Sequence, residues 1–395
     1  MVHRTDRILD NIPVGALGMI SLPGCEEMGN RVNDYLVKWR KETNHEHKDN
    51  IVFSGYENDT YLINAKVPRF GSGEAKGIIE ESVRGKDLYL MVDVCNYSLT
   101  YPLSGNTNHM SPDDHFQNLK RIIAAVGGKA RRLNVIMPFL YESRQHKRSA
   151  RESLDCALAL QELVRMGVDN IITFDAHDPR VQNAIPLSGF ETVRPTYQFI
   201  KGLLRSFDDL QLDSEHLMAI SPDEGATGRA IYFANVLGID MGMFYKRRDY
   251  TQVVNGRNPI VAHEFLGSSV EGKDVIILDD MISSGDSILD VAKQLKARKA
   301  KRIFAAATFG LFTNGMEKFD EAYEEGLIHG ILTTNLIYQT PELLSRPYYI
   351  NCDMSKYVAL LIDTLNHDGS ISGLLDPFDR IQAAVEAYKK GEPIE

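Results

Sequence analysis

One segment, residues 275–287, restricts the possible folds of this chain more than any other. It begins with Val-Ile-Ile-Leu at 275–278, four apolar residues without alternation, which predicts a strand buried on both faces of a parallel sheet. Asp279 and Asp280 follow, then small hydroxyl residues around a glycine, then apolar residues at helical spacing over 288–295. Because ligands of open α/β sheets bind where the strands end, we predict a strand, a binding loop and a helix.

The predicted loop combines an anion site with a pair of carboxylates. Free backbone N–H groups and the dipole at a helix N-terminus favour a phosphate group there. Asp279 and Asp280 suit either ribose hydroxyls or a hydrated Mg²⁺ ion, which takes oxygen ligands and keeps much of its water. A solvated turn without function is the alternative, because two adjacent acids at a strand end also occur by chance.

Length and composition limit the class of protein. The 395 residues exceed one ordinary core, so two domains are expected, and 43% hydrophobic with 25% charged residues is typical of a globular protein. The formal charge of −10 argues against nucleic acid as a partner, because such binders usually carry a basic surface. No apolar run approaches the roughly 20 residues of a membrane span, and the first residues lack the apolar core of a signal peptide. We therefore expect no membrane partner and a cytoplasmic location, with the four widely spaced cysteines as reduced thiols.

The two halves of the sequence resemble each other. Residues 85–87 and 272–274 both read Gly-Lys-Asp, and each triplet precedes an apolar strand that ends in acid. Arg132 and Arg302 each precede the next apolar strand. This repetition predicts a duplicated α/β domain. The extra residues of the first copy lie at 96–114, a stretch rich in Ser, Asn, Pro and Gly that we interpret as an insertion or a functional loop.

Further motifs place polar groups after predicted strands. Residues 144–151 hold several Arg and Lys, which favours either a phosphate site or a solvated surface. His177 and Asp223 each follow a buried strand, so they are either structural or part of a Mg²⁺–nucleotide site. Lys246 and Arg248 end another apolar strand. Because residues two apart in an extended segment point the same way, both cations can reach one phosphate.

These motifs together resemble a known family. Two acids, two spacers and a run of Ser and Gly make residues 279–287 similar to the phosphoribosyl-diphosphate-binding loop of phosphoribosyltransferase-type proteins. The order of five such signatures resembles the ribose-phosphate pyrophosphokinase family over roughly residues 17–375. The resemblance implies an α/β chain of two tandem phosphoribosyltransferase-like domains, each with a mainly parallel sheet flanked by helices. Residues 1–194 would be the ATP-side domain and 195–355 the ribose 5-phosphate domain, with C-terminal helices in 356–395 packing back on the first. It also implies a homo-oligomer, either a dimer or a hexamer.

The resemblance implies a role for each matching residue. Ribose 5-phosphate would be held by Asp279 and Asp280 on the sugar hydroxyls and by Ser283, Ser284, Gly285, Asp286 and Ser287 around the 5-phosphate. ATP would be held by Arg144, Gln145 and Arg151, and by Phe70, Ser72 and Glu74 of a neighbouring subunit on the adenine. Mg²⁺ would be bound by His177 and Asp223, and Lys246 and Arg248 would be the catalytic cations on a loop that closes over ATP.

Several positions depart from the family pattern. The glycine of the phosphate loop comes one place early, at Gly285, so Asp286 has to point away from the anion. His146 stands where the family has an aspartate, and Ser72 replaces an amide of the adenine clamp. The acids that the family carries about ten residues after its metal-linked histidine have no match here, where residues 184–186 are Ala-Ile-Pro.

The predicted activity is Mg²⁺-dependent transfer of the diphosphoryl group of ATP to ribose 5-phosphate, giving phosphoribosyl diphosphate and AMP. A catalytically silent regulatory paralogue is one alternative, and the departures at Ser72, His146, Ser283 and Asp286 fit it. A phosphoribosyltransferase is the other, although a single such domain needs only about half this length.

Overall fold

The computed structural model describes residues 12–46, 58–248 and 260–394. The chain divides into two compact units between Arg194 and Pro195. The first unit holds the described residues up to Arg194 together with Asn335–Tyr338 and Asp353–Asp376. The second holds Pro195–Thr334, Gln339–Cys352 and the residues from Pro377 onward. The main division falls where the sequence analysis placed it, but the chain passes between the units more often than a simple tandem would.

The first unit is built on a five-stranded parallel sheet. Its elements are β1 (Ala16–Ser21), α1 (Glu26–Glu46), β2 (Ala65–Lys66), β3 (Ile78–Ile79), β4 (Lys86–Met91), β5 (Thr100–Leu103), β6 (Asn106–His109), α2 (Pro112–Val126), β7 (Arg132–Ile136), α3 (Asp155–Arg165), β8 (Asn170–Phe174) and β9 (Gly189–Val193). The strand order is β1-β4-β7-β8-β9. The central strands are buried on both faces, as parallel strands covered by helices must be, and Leu88, Tyr89, Leu90 and Val135 are fully buried.

The second unit contains a seven-stranded sheet that is parallel except at one edge. Its elements are α4 (Thr196–Ser206), β10 (Leu217–Ser221), α5 (Thr227–Leu237), β11 (Asp240–Arg248), β12 (Ile260–Leu266), β13 (Asp274–Ile282), α6 (Asp286–Ala297), β14 (Ile303–Gly310), α7 (Glu317–Glu324), β15 (Gly330–Thr334), α8 (Pro341–Leu344) and β16 (Tyr349–Cys352). The order is β12-β11-β10-β13-β14-β15-β16, which makes β13 the central strand. The two α/β units with parallel sheets confirm the predicted fold class.

The last three helices are α9 (Ser355–Asn366), α10 (Ser372–Leu375) and α11 (Phe378–Lys389), and they divide between the units. In the first unit, Arg40 of α1 donates hydrogen bonds to Asp363 and Asn366 of α9. In the second unit, α11 packs on α4 and α5 and buries Ile381 completely. The expectation that all helices of 356–395 return to the first unit is therefore wrong for α11, because its apolar face completes the core of the second.

Three further segments hold more regular structure than their local sequence pattern indicates. Helix α1 continues to Glu46, into a polar stretch that begins at Lys41. The insertion at 96–114 contains the ordered hairpin β5–β6 and the first turn of α2. The segment around Lys246 and Arg248, which the resemblance implies to be a loop that closes over ATP, continues into strand β12, and residues 249–259 lie outside the described residues. Within the described ranges, no helix is both long and apolar enough to cross a membrane.

Candidate active site

The predicted sugar-phosphate loop begins on an overhang of the central strand. β13 extends to Ile282, beyond the apolar stretch that predicted it, and pairs with β14 along that length. On its other side, β10 pairs with it only as far as Ile277. Asp279 and Asp280 therefore lie on a part of β13 that extends past the end of β10, at the edge of the sheet where ligands of α/β folds bind.

The two acids are adjacent on β13 and joined by a hydrogen bond. Asp280 is only 3% exposed, and its backbone N–H donates to Oδ1 of Asp279 at 2.8 Å. Burial raises the pKa of Asp279 well above its usual value, and the negative charges of Asp280 and Asp223 raise it further. Nη2 of Arg229, on α5, lies 3.8 Å from Oδ2 of Asp280. The pair therefore favours a shared proton, hydroxyl donors or a cation over two free negative charges.

The loop after the pair turns at Gly285, which caps α6 with a φ of +84°. A Cβ atom at this position would clash with the ring of Phe319, so both the backbone conformation and the packing require glycine. Ser283 and Ser284 are half-buried, and Ser287 is exposed in the first turn of α6. The predicted phosphate-binding residues thus form one strand-to-helix turn, as the sequence analysis expected.

Asp286, the first residue of α6, already has partners on the protein. Its carboxylate accepts a hydrogen bond from Oγ of Ser284 at 2.9 Å and from Nζ of Lys318 at 2.6 Å. The hydrogen bond from Lys318 is the main reason that the pKa of Asp286 is below its usual value. The Ser284 hydroxyl, which is predicted to bind the phosphate, therefore donates to the carboxylate of Asp286 instead.

Asp223 lies in the turn that leads into α5. Its Oδ1 accepts hydrogen bonds from the backbone N–H groups of Gly225 at 2.8 Å and Ala226 at 3.1 Å. These bonds fix an exposed carboxylate whose charge also acts on Asp279. In the second unit, the structure thus brings Asp223 within electrostatic range of the acidic pair.

His177 follows β8 in the first unit, after a strained turn. Asp175 has a φ of +41°, which is uncommon for a residue other than glycine. The exposed ring of His177 lies 5.3 Å from the ring of His146, centroid to centroid. Nε2 of His146 is 3.6 Å from Asp178, whose pKa is lowered to about 2, chiefly by a hydrogen bond from Arg180. Two imidazoles therefore meet at the end of this strand.

The basic residues predicted to bind ATP follow β7 in a segment without regular secondary structure. Nε2 of Gln145 donates to the backbone oxygen of Ser153 at 2.6 Å and so closes the segment on itself. Arg144 and Arg151 are exposed. The Gln145 side chain therefore stabilises the loop that carries Arg144 and Arg151, in addition to its predicted role as a ligand of ATP.

Phe70, Ser72 and Glu74 occupy one tight turn of the first unit. The backbone N–H of Phe70 donates to the oxygen of Glu74 at 2.7 Å, and Oγ of Ser72 donates to the Glu74 carboxylate at 2.8 Å. Phe70 is 52% exposed, although it is a large apolar residue. The turn thus presents an aromatic ring to the surface of its unit.

Lys246 and Arg248 lie near the end of β11, which runs to Arg248. Lys246 pairs with His263 of β12 and Arg248 with Ile260, and the register shifts between Arg247 and Arg248. Only the backbone of these basic residues belongs to the described structure.

No three His, Cys, Asp or Glu side chains among residues 12–46, 58–248 and 260–394 are arranged to hold a metal ion. His177 belongs to the first unit and Asp223 to the second. Arg229 and Lys318 belong to none of the sequence motifs, although both contact predicted site residues. The only signal for Arg229 was its place at the start of α5, and Lys318 gave none because it is 32 residues from Asp286.

Comparisons with known proteins match a family domain to each of the two units. Residues 17–167 match the N-terminal domain of ribose phosphate pyrophosphokinase, and residues 194–336 match the phosphoribosyl transferase domain. The ribose-phosphate pyrophosphokinase of Vibrio parahaemolyticus is 29% identical over 319 residues, 80% of this chain and 92% of that protein. The one from Mycoplasma genitalium is 29% identical over 272 residues, 68% of this chain and 74% of that protein.

A solved structure shows the same fold. The crystal structure of phosphoribosylpyrophosphate synthetase from Mycobacterium smegmatis matches with a TM-score of 0.70 and 21% identity, covering 89% of this chain and 99% of that one. The two domain matches lie in the same order as the two units. The chain therefore belongs to the ribose-phosphate pyrophosphokinase family.

Proposed function

We propose that this protein transfers the diphosphoryl group of ATP to the C1 hydroxyl of ribose 5-phosphate. The C1 oxygen attacks the β-phosphorus in line, the bond between that phosphorus and the oxygen bridging to the α-phosphate breaks, and AMP leaves with the bridging oxygen. The hydroxyl proton is lost to solvent. The products are phosphoribosyl diphosphate and AMP. No protein nucleophile is needed, so the protein contributes positioning and cations.

One observation carries the proposal: a coupled acidic pair opens the predicted phosphate loop in a chain that also carries the N-terminal domain of the family. Asp279 and Asp280 would accept hydrogen bonds from the ribose hydroxyls. The turn from Ser283 to Ser287 would bind the 5-phosphate at the start of α6.

The same proposal assigns ATP to residues of the first unit. Arg144, Gln145 and Arg151 would hold its phosphates, because guanidinium and amide donors match phosphate oxygens. Phe70, Ser72 and Glu74 would contact the adenine. Lys246 and Arg248 would offset the negative charge that develops during transfer.

Mg²⁺ is part of the proposal, with His177 and Asp223 as contributing groups. The ion usually binds through one or two carboxylates, substrate phosphates and water. This fits an acidic group in which burial, and then the negative charges of Asp280 and Asp223, raise the pKa of Asp279. When bound with ATP, Mg²⁺ would polarise the transferred phosphates.

The decisive experiment incubates the purified full-length protein with ATP, Mg²⁺ and ribose 5-phosphate and measures AMP and phosphoribosyl diphosphate. We expect equal amounts of the two products and none when ribose 5-phosphate or Mg²⁺ is left out. AMP formed without ribose 5-phosphate, or no product at any Mg²⁺ concentration, would contradict the proposal.

The same reagents separate the two alternatives. A phosphoribosyltransferase would instead release pyrophosphate from phosphoribosyl diphosphate and a nucleobase. A silent regulatory paralogue would form no product alone but would change the rate of an active relative. The family matches over both units favour the synthetase over either alternative.

Assembly and location follow as further parts of the proposal. We place the reaction in the cytoplasm, which agrees with Cys25, Cys95, Cys156 and Cys352 being free thiols. We also propose a homo-oligomer, a dimer or a hexamer. The reason is that residues 69–75, the adenine turn that carries Phe70, Ser72 and Glu74, are expected to contact the adenine bound by a neighbouring subunit. Light scattering of the purified protein measures the mass that decides this.

A further inference from the structure

The insertion at 96–114, which the proposed reaction does not use, is an ordered part of the first unit. Its hairpin turns at Ser104 and Gly105, whose φ values of +51° and +79° are those of a two-residue turn between twisted strands. At the open end of the hairpin, the backbone N–H of Met110 donates to the backbone oxygen of Leu99 at 2.8 Å. Nε2 of the buried His115 contacts the backbone oxygen of Asn96 at 2.7 Å.

The hairpin contacts the adenine turn through Arg69. The guanidinium carbon of Arg69 lies 3.9 Å from the centroid of the Tyr101 ring, on β5. Nη2 donates to Oδ1 of Asp114, in the first turn of α2, at 3.0 Å. Nη1 donates to the backbone oxygen of Gly73 at 2.9 Å. One side chain therefore joins the hairpin, α2 and the turn.

These contacts are more sheltered than an ordinary surface ion pair. The side chains of Arg69 and Asp114 are only 12% and 20% exposed. Burial acts to raise the pKa of Asp114, but hydrogen bonds from Ser111 and the charge of Arg69 bring it below its usual value. Stacking of a guanidinium on an aromatic face adds to this stabilisation when water is largely excluded.

A second contact reaches the tip of the turn. Gly73 has a φ of +88°, and a Cβ placed on it would lie 3.1 Å from Cδ1 of Leu103, the last residue of β5. The hairpin thus covers the residue at which the turn reverses. Phe70 and Ser72 project from a loop whose backbone is fixed from the side of the insertion.

We infer that the 96–114 insertion braces the 69–75 turn and so sets the affinity and base selectivity for the nucleotide. The inference rests on the proposed function, since it deepens the role of Phe70, Ser72 and Glu74. An exposed aromatic ring binds a flat base well only if its position is fixed in advance, because otherwise binding has to order the loop. Arg69 and Tyr101 are positioning residues in this scheme.

The test compares Tyr101→Ala, Arg69→Lys and the hairpin-tip control Asn106→Ala with the parent, all as full-length protein. Tyr101→Ala removes the stacking surface, and Arg69→Lys keeps the charge but removes the planar fork. Asn106 is exposed and belongs to the same hairpin. The measured quantities are KM for ATP, KM for ribose 5-phosphate, the ATP-to-GTP ratio of kcat/KM, and the melting temperature.

We expect Tyr101→Ala to raise KM for ATP by about tenfold and to lower the ATP-to-GTP ratio, with KM for ribose 5-phosphate within about twofold. Arg69→Lys should show a smaller effect in the same direction, and Asn106→Ala none. A parental ATP affinity and base ratio in both brace variants overturns the inference. An equal rise of both KM values with a lowered melting temperature also overturns it, since that pattern reports general loss of structure.

The inference and the proposed function fail separately. A parent protein that forms no AMP contradicts the proposed reaction. ATP titrated into the parent and Tyr101→Ala by calorimetry then decides the brace by itself: equal affinities, or no binding to the parent, overturn it, and an affinity about tenfold weaker in the variant supports it.

Discussion

Arg302 holds the buried carboxylate of Asp274 with two parallel hydrogen bonds, from Nε at 2.9 Å and from Nη2 at 2.7 Å. In the first unit Arg132 holds Asp87 in the same way, with both distances at 2.8 Å. Each pair joins the starts of two neighbouring parallel strands, β13 with β14 and β4 with β7. The repeated Gly-Lys-Asp and Arg of the sequence are therefore one structural element used twice.

We expect Arg302→Ala and Arg132→Ala each to destabilise the protein by about 3 kcal/mol, because each leaves a buried carboxylate without its cationic partner. Urea denaturation of the parent and of each variant measures this. Lys299→Ala is the control, since its ion pair with Glu271 at 2.8 Å is exposed on both sides and should contribute little. A loss no larger than that of the control would contradict the structural role.

Asp280→Asn should weaken ribose 5-phosphate binding by about tenfold or more, because an amide reproduces only part of the hydrogen bonding of a carboxylate to sugar hydroxyls. ATP binding should change by less than about twofold. Calorimetric titration of each ligand separately gives both numbers. An unchanged sugar-phosphate affinity removes Asp280 from the site.

Asp286→Asn should strengthen ribose 5-phosphate binding by about threefold, because it removes a negative charge and weakens the hold on the Ser284 hydroxyl. Lys318→Ala should have the opposite effect, since it leaves Asp286 without its cation. The double variant separates the two causes: its affinity should lie close to that of Asp286→Asn. If Lys318→Ala weakens binding equally in both backgrounds, the lysine acts on the phosphate and not through Asp286.

Lys246→Ala and Arg248→Ala should each lower kcat by orders of magnitude, as the loss of contacts made mainly in the transition state does. Arg247→Ala, between them on β11, is the control and should cost little. Steady-state kinetics should show ribose 5-phosphate binding intact in all three variants. Equal damage from Arg247→Ala would contradict the assignment of the other two.

The first unit should lose stability as the pH rises from about 4 to about 7. Burial raises the pKa of Asp93 from 3.8 to about 7, even though the N–H groups of Cys95 and Tyr338 donate to it. The folded state therefore keeps a proton that the unfolded state releases, so unfolding becomes easier at higher pH. Melting temperatures measured across this range should show the trend in the parent and a smaller slope in Asp93→Asn. The same slope in both proteins would remove Asp93 as the cause.

The local sequence pattern predicted strands that are buried on both faces. It did not predict how far an element extends or where it packs when that depends on one partner far along the chain. Residues 275–278 indicated a buried strand because both faces are apolar, but the continuation to Ile282 depends on pairing with β14. The resemblance implied C-terminal helices, but not that Tyr388 and Gln382 of α11 would donate hydrogen bonds to backbone oxygens of the second unit. The Ser-Gly pair at 104–105 was a turn signal that could have revealed the hairpin in the insertion.

The candidate site divides in the same way. Asp279, Asp280 and the serines after them are adjacent in sequence, so a motif reveals them. The partners of Asp286 and Arg69 come from elements far along the chain, Lys318 on α7 and Tyr101 on β5, and only the folded chain brings them together.

Because Phe319 of α7 packs beneath Gly285, the sequences of the phosphate loop and of α7 constrain each other. A loop grafted from a relative with its glycine one place later would put a side chain where the ring now lies, so the graft needs a smaller residue at 319 as well. Conversely, replacing Phe319 alone by a smaller residue would leave a cavity beneath Gly285. A smaller residue at 319 is therefore expected to reduce the cost of a side chain at 285 without removing it, because the φ of +84° strains any residue other than glycine there.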